Sequence, residues 1–112
     1  MYTEQLCWSE TSGWRPAETH SAAELVLFFG TREALGCGSR YRELREMFPR
    51  AHILGCSTGG QIRNDDIVDD EIVATAVRFD ATKLRLACES ASGPVHSRAC
   101  GEAIGRSLAA DD

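Results

Sequence analysis

The sequence predicts an α/β fold built on a mixed sheet of about five strands. Three observations carry that expectation. Leu25 to Phe29 is an unbroken apolar run, as in a strand covered on both faces. An amphipathic stretch separates it from a second apolar run, His52 to Leu54, which makes a βαβ unit. Glu71 to Phe79 is apolar on both faces and therefore an interior strand. With 112 residues the chain is one domain at most. A chain of this size buries roughly two-thirds of its unfolded surface, enough for one modest core.

Taken in order, Glu4 to Trp8 can form a short strand with Leu6 and Trp8 on one face. Ser9 to Ser21 is polar, contains Gly13 and Pro16, and reads as a loop, with Ser21 capping a short turn. Trp14 in that loop is expected to act as a lid on the core edge. Glu24 to Gly30 is the strongest strand, and Thr31 to Gly38 a glycine-containing loop. Ser39 is placed to cap a helix running to about Phe48, with Tyr41, Leu44 and Phe48 as its buried stripe. Arg42 with Glu46, and Glu46 with Arg50, are i,i+4 pairs on its solvated face. Pro49 stops the helix. The crossover into His52 to Leu54 should be right-handed and the two strands parallel.

Arg63 to Asp66 reads as a turn within an acidic stretch holding Asp65, Asp66, Asp69, Asp70 and Glu71. Its spacing lacks the alternation of a calcium loop, so a solvated turn is expected. After the Glu71 to Phe79 strand, Asp80-Ala81 makes a turn. Thr82 to Glu89 then alternates, with Leu84, Leu86 and Cys88 on one side and Lys83, Arg85 and Glu89 on the other. That pattern predicts the second strand of a C-terminal hairpin. Pro94 opens a final helix, capped near Ser92, with Val95, Ala99, Ala103, Ile104 and Leu108 on its apolar face. Gly101 and Gly105, four apart, either permit close helix approach or weaken the helix.

Composition narrows the function. The chain is 43% hydrophobic and 26% charged, ordinary for a soluble globular protein. A net charge of −5 argues against nucleic acid, whose phosphates require a basic face. No apolar run approaches the roughly 18 residues of a membrane span, and the first residues lack the character of a signal peptide. A cytoplasmic location is the expectation. Cys7, Cys37, Cys56, Cys88 and Cys100 are scattered and form no C-x-x-C pair, which argues against structural zinc. Cys7 and Cys88 fall in strand-like runs, where a free thiol is usually a small buried hydrophobe.

The stretch from Ala51 to Ile62 is the candidate site. Gly55 to Gly60 is too glycine-rich for a regular element and should form a loop at the carboxyl end of the His52 to Leu54 strand. Open α/β sheets place their ligand crevice there. Gly59 and Gly60 permit close backbone approach, and Cys56, Ser57 and Thr58 offer a thiol and two hydroxyls. A strand-exit turn without a ligand fits the same spacing.

The chain resembles the amino-terminal FIST domain, an intracellular sensory module of signalling proteins. The matching residues are Ala23-Glu-Leu-Val-Leu-Phe-Phe29, Arg50-Ala-His-Ile-Leu-Gly-Cys-Ser-Thr-Gly-Gly-Gln-Ile62, Asp69-Asp-Glu-Ile-Val-Ala-Thr-Ala-Val77 and Phe79-Asp80. The order and spacing match from Ala23 to about Leu108. The family domain is longer, and members carry a helix for which the segment between Trp8 and Ala23 is too short. The chain is therefore expected to be a fragment or a compact variant resembling the first half of the domain. The resemblance implies a non-catalytic ligand sensor, and it strengthens the small-residue loop, Gly55, Cys56, Ser57, Thr58, Gly59, Gly60 and Gln61, as the expected site. It implies a small metabolite such as an amino acid, or haem for nitric oxide sensing, and a histidine kinase or cyclic-di-GMP enzyme as output partner. Haem takes an axial ligand, commonly histidine. His20, His52 and His96 are the candidates, followed by the Cys56 thiolate.

Two other readings stand beside the sensor. Cys56 could serve an enzyme as nucleophile, but His52 lies about 13 Å away along the same strand, too far to act as its base. The chain could also be an interaction module, pairing through a sheet edge or the Gly101/Gly105 face. A homodimer is expected, because a half-domain leaves apolar surface to cover.

Overall fold

The computed structural model describes residues 1–16, 22–63, 66–68 and 72–109. The chain divides into two compact units, Met1–Thr82 and Lys83–Asp112.

The first unit holds a five-stranded mixed sheet. In chain order its strands are β1 (Tyr2–Ser9), β2 (Gly13–Arg15), β3 (Leu25–Gly30), β4 (His52–Ser57) and β7 (Ile72–Arg78). A separate two-stranded hairpin consists of β5 (Gln61–Arg63) and β6 (Asp66–Val68). The sheet order is β2-β1-β7-β3-β4. β3 and β4 are parallel, with Leu25 opposite His52 and Phe29 opposite Cys56. β7 lies between β1 and β3, antiparallel to both. Between β3 and β4 run α1 (Arg32–Leu35) and α2 (Ser39–Met47).

Alternation sets which side chains share a face. On the helix side, Leu6, Val26, Phe28, Ile72, Ala74 and Ala76 pack with Leu44 and Phe48 into one buried cluster. Trp8, Trp14, Met47 and Ile53 border it. On the other face Cys7 and Val73 are buried, while Leu27 is 37% exposed, Phe29 40% and Leu54 46%. The apolar run of β3 is therefore covered on one face and open on the other. Polar contacts pin the residues that lead into β3 and β4. The Phe79 amide donates to Glu24 Oε1 at 2.9 Å, and Arg45 Nη1 donates to the Ala51 carbonyl at 2.7 Å.

Several expectations are corrected. Trp14 belongs to a strand, because β2 folds back on β1 with Trp8 opposite Trp14. It still lids the core edge, and its Nε1 donates to Glu43 Oε1 at 3.0 Å. The Thr31 to Gly38 loop contains α1, whose first turn is capped by the Thr31 side chain accepting from the Ala34 amide. Gly38, with φ of 74°, caps α2 in place of Ser39, which is the first helical residue. Tyr41 is 42% exposed and leaves the buried stripe to Leu44 and Phe48. Among the described residues, the ion pair that α2 makes is Arg40 with Glu43. Arg63 and Asp66 are paired strand residues of β5 and β6, whereas Asn64, Asp65, Asp69, Asp70 and Glu71 fall outside the described residues.

The C-terminal hairpin is absent. Residues 82–90 form no strand, and Cys88 is exposed. The physical reason is topological: β1 and β3 already occupy both edges of β7. Alternation prepares a strand, but an unpaired ladder is not one.

The second unit carries a 3₁₀ turn at Pro94–His96 and α3 (Ser97–Ala109). Arg85 caps the end of α3, donating to the carbonyls of Leu108 and Ser107 at 3.2 Å each. No residue of α3 is buried, and among the described residues nothing lies within 4 Å of where a Cβ on Gly101 or Gly105 would stand.

Candidate functional site

The parallel pair β3–β4 ends on one side of the unit, where α1 and α2 begin their crossover. A cavity of about 300 Å³ lies there, lined by Phe28, Arg32, Leu35, Gly36, Tyr41, Gly55, Cys56 and Ser57. That volume is at the lower end for small-molecule sites. Its position agrees with the rule for α/β sheets, beyond the carboxyl ends of parallel strands.

Each wall has a local cause. Phe28 is held by the core cluster beneath α2. Gly55 faces it across the ladder, and a Cβ on Gly55 would stand 2.5 Å from the Phe28 ring. Glycine is thus required by ring-to-backbone packing, and it leaves the cavity floor flat. Arg32 opens α1 and is exposed; among the described residues no ion pair holds its guanidinium. Tyr41 is displaced from the buried stripe to the cavity wall. Alternation along β4 turns Ser57 to the same side as Gly55, and turns His52 and Cys56 to the opposite face. Cys56 therefore lines the cavity by its backbone.

The sequence-predicted residues separate at this point. Gly55, Cys56 and Ser57 continue β4 rather than forming a loop, because the parallel ladder with β3 runs to Gly30–Ser57. They line the cavity. Thr58, whose amide donates to the Gly30 carbonyl at 2.9 Å, ends the ladder and folds its hydroxyl onto the Gly60 carbonyl at 3.2 Å. Gly59 and Gly60 form the bend leading to Gln61 at the start of β5, and neither glycine is among the described lining residues. Sequence reasoning missed Arg32, Leu35 and Tyr41. Tyr41 carried a signal, a polar-tipped aromatic in the first turn of a helix.

The histidines are dispersed. His52 is half-buried on the face away from the cavity. His96 is exposed in the second unit and hydrogen-bonds Ser92. His20 lies outside the described residues. Among the described residues no histidine lines the cavity, and the lining thiol, Cys56, is directed to the other face. The described lining residues by themselves do not supply a haem ligand set. Among the described residues no cluster of His, Cys, Asp or Glu could hold a metal ion. Nor is any helix among them long and apolar enough to cross a membrane.

A larger groove of about 510 Å³ is lined by Trp8, Glu10, Thr31, Glu33, Ala34, Cys37 and Arg40. Its cation is already engaged. The Arg40 guanidinium lies 4.4 Å from the Trp8 ring centroid. Its Nε is 3.1 Å from Glu43 Oε1, off the N–H direction, so that contact is Coulombic rather than a hydrogen bond. Beside it, hydrogen bonds from the Ser39 side chain and backbone, aided by Arg40, hold the exposed Cys37 thiol below its ordinary pKa.

Compared with known proteins, the chain matches the model of one family, described as the FIST N domain, over residues 24–112. No curated protein matches, and no solved structure does. The matched span includes β3, both crossover helices, β4 and the whole cavity lining.

Proposed function

The chain belongs to the FIST N-domain family, a family of sensory domains, and from that premise we propose that it is a non-catalytic receptor for a small anionic metabolite. The observation that carries this reading is the cavity at the carboxyl ends of β3 and β4. The cation Arg32 lines it together with Phe28, Leu35 and Tyr41, with Ser57 at the strand end. A carboxylate suits the guanidinium fork, and an apolar body suits the aromatic walls. An amino acid or short organic acid meets both demands. Binding would be passed to an output partner, a histidine kinase or a cyclic-di-GMP enzyme, in the cytoplasm.

The test is a thermal-shift screen of small carboxylates on the wild-type chain and on Arg32→Ala. A ligand at a hundred times its Kd stabilises the folded state by about 2.7 kcal/mol, a shift of several degrees for a domain of this size. The shift should vanish in Arg32→Ala while the unliganded melting temperature holds, since Arg32 is exposed. An undiminished shift in that variant rejects the site. A haemin titration read at the Soret band, with His52→Ala and Cys56→Ala alongside, tests the haem alternative. A saturable band lost in either variant would move the sensor to that ligand.

A further inference from the structure

We propose that β4 is an assembly edge, and that it pairs antiparallel with β4 of a second copy about a two-fold axis at Gly55. The inference is independent of which ligand the cavity takes.

The backbone shows where the pairing capacity lies. His52 donates its amide to the Glu24 carbonyl at 2.9 Å, and Thr58 donates to Gly30 at 2.9 Å. In a parallel ladder alternate residues address one neighbour, so His52, Leu54, Cys56 and Thr58 bond to β3. Ile53, Gly55 and Ser57 therefore aim their N–H and C=O groups away from β3. Among the described residues no strand stands on that side, and Leu54 to Ser57 are exposed.

The strand itself also carries no charged or proline guard. Edges are commonly blunted by lysine, proline, an inward charge, a bulge or short length. β4 reads His-Ile-Leu-Gly-Cys-Ser, six residues with no Lys, Arg, Asp, Glu or Pro. Although each chain carries a net charge of −5, the strand itself brings no like charges together.

Burial on the face opposite the helices points the same way. Across one register row Cys7 and Val73 are buried, whereas Phe29 and Cys56 are exposed. In the next row exposure rises from Leu27 to Leu54. The uncovered apolar surface is thus concentrated toward β4, beside the unpaired backbone groups.

A second copy satisfies both needs with one register. Centring on Gly55 places Ile53 opposite the second copy's Ser57, and Gly55 opposite Gly55. The three outward-facing residues of each strand then exchange about six hydrogen bonds. Leu54 of each copy falls opposite Cys56 of the other on the apolar face, in the closer, non-hydrogen-bonded type of pair. The strand is about 20 Å long, so the contact falls below the roughly 1,200 Å² of a stable complex. The dimer should therefore be concentration-dependent. Gly55, Cys56 and Ser57 also line the cavity, so the two cavities would lie side by side across the axis.

Two measurements on the full chain test this. Sedimentation equilibrium from low to high micromolar should show a monomer–dimer equilibrium. Leu54→Lys, which sets a charge in each half of the apolar contact, should weaken it more than about tenfold with unchanged circular dichroism. In parallel, Leu54→Cys is treated with diamide, which accepts two protons and two electrons as two thiols become a disulfide. A covalent dimer linked between positions 54 and 56, and abolished by adding Cys56→Ser, supports the register. A monomer at every concentration would overturn the proposal. So would a dimer indifferent to Leu54→Lys, or a dimer whose crosslinks run only through Cys37, Cys88 or Cys100. Should Leu54→Lys unfold, the crosslinking arm decides alone.

Discussion

The two edges of the sheet are built in opposite ways. At one, β2 is three residues long, carries Arg15, and is followed by Pro16. Trp14 on that strand packs against the core and reaches Glu43 of α2. At the other, β4 is six residues of uncharged chain, and its last four are exposed. The closed edge uses a short strand and an aromatic anchored by a hydrogen bond. The open edge keeps its backbone groups and apolar side chains available. Natural sheets tend to guard their edges, and here the guarding stops on the side where the cavity lies. The contrast is between an edge closed by packing and one that leaves apolar side chains exposed, with one core shared beneath both.

Mutations can break or sharpen that contrast. The largest effect should come beneath the helix, where both sides share one core. Phe48→Ala removes a fully buried ring and should cost about 3–5 kcal/mol in denaturant unfolding at constant m-value. Next is Gly55→Ala on the open side. Its new Cβ meets the Phe28 ring, so about 1–3 kcal/mol should be lost, together with cavity volume. On the closed side, Trp14→Phe keeps most of the packing but leaves Glu43 without its indole donor, for about 1 kcal/mol. Leu54→Ala at the open edge should change monomer stability by less than about 0.5 kcal/mol. A larger loss measured on dilute monomer would mean that the edge is part of the core after all.

Thiol chemistry gives the finest test. Cys7 is buried on the closed side and should resist iodoacetamide until the chain unfolds, whereas Cys56 on the open edge should react in the native state. Cys37 should react fastest near neutral pH. Its pKa is lowered by the Ser39 hydrogen bonds, so more of it is thiolate there. Ser39→Ala should move the midpoint of its pH–rate profile upward, toward that of an ordinary thiol. An unchanged midpoint would remove Ser39 as the cause.

Much of the fold was legible because apolar spacing reports burial directly. The unbroken run of β3, the two-faced pattern of β7, and Leu44 and Phe48 at helical spacing all identified real elements. The parallel β3–β4 pair followed from the helix between them. Three things were not legible. Residues 82–89 alternate like a strand, yet pairing is a property of neighbours, and β7 had none to spare. The glycines at 55 and beyond looked like a loop, but Gly55 is a strand residue required by the Phe28 ring. The cavity lining was legible only in part: small-residue clustering pointed to Gly55, Cys56 and Ser57, whereas Arg32, Leu35 and Tyr41 come from another part of the chain.

By itself, then, the sequence determined the class of fold, the core stripe of α2 and the strand end on which the cavity is built. Burial energy scales with apolar surface, and apolar surface is written in residue order. Only the tertiary structure decided that the sheet closes at β2 and stays open at β4, and which side chains complete the cavity. Those outcomes depend on which strand finds which partner, and hydrogen-bond ladders join residues far apart in the chain.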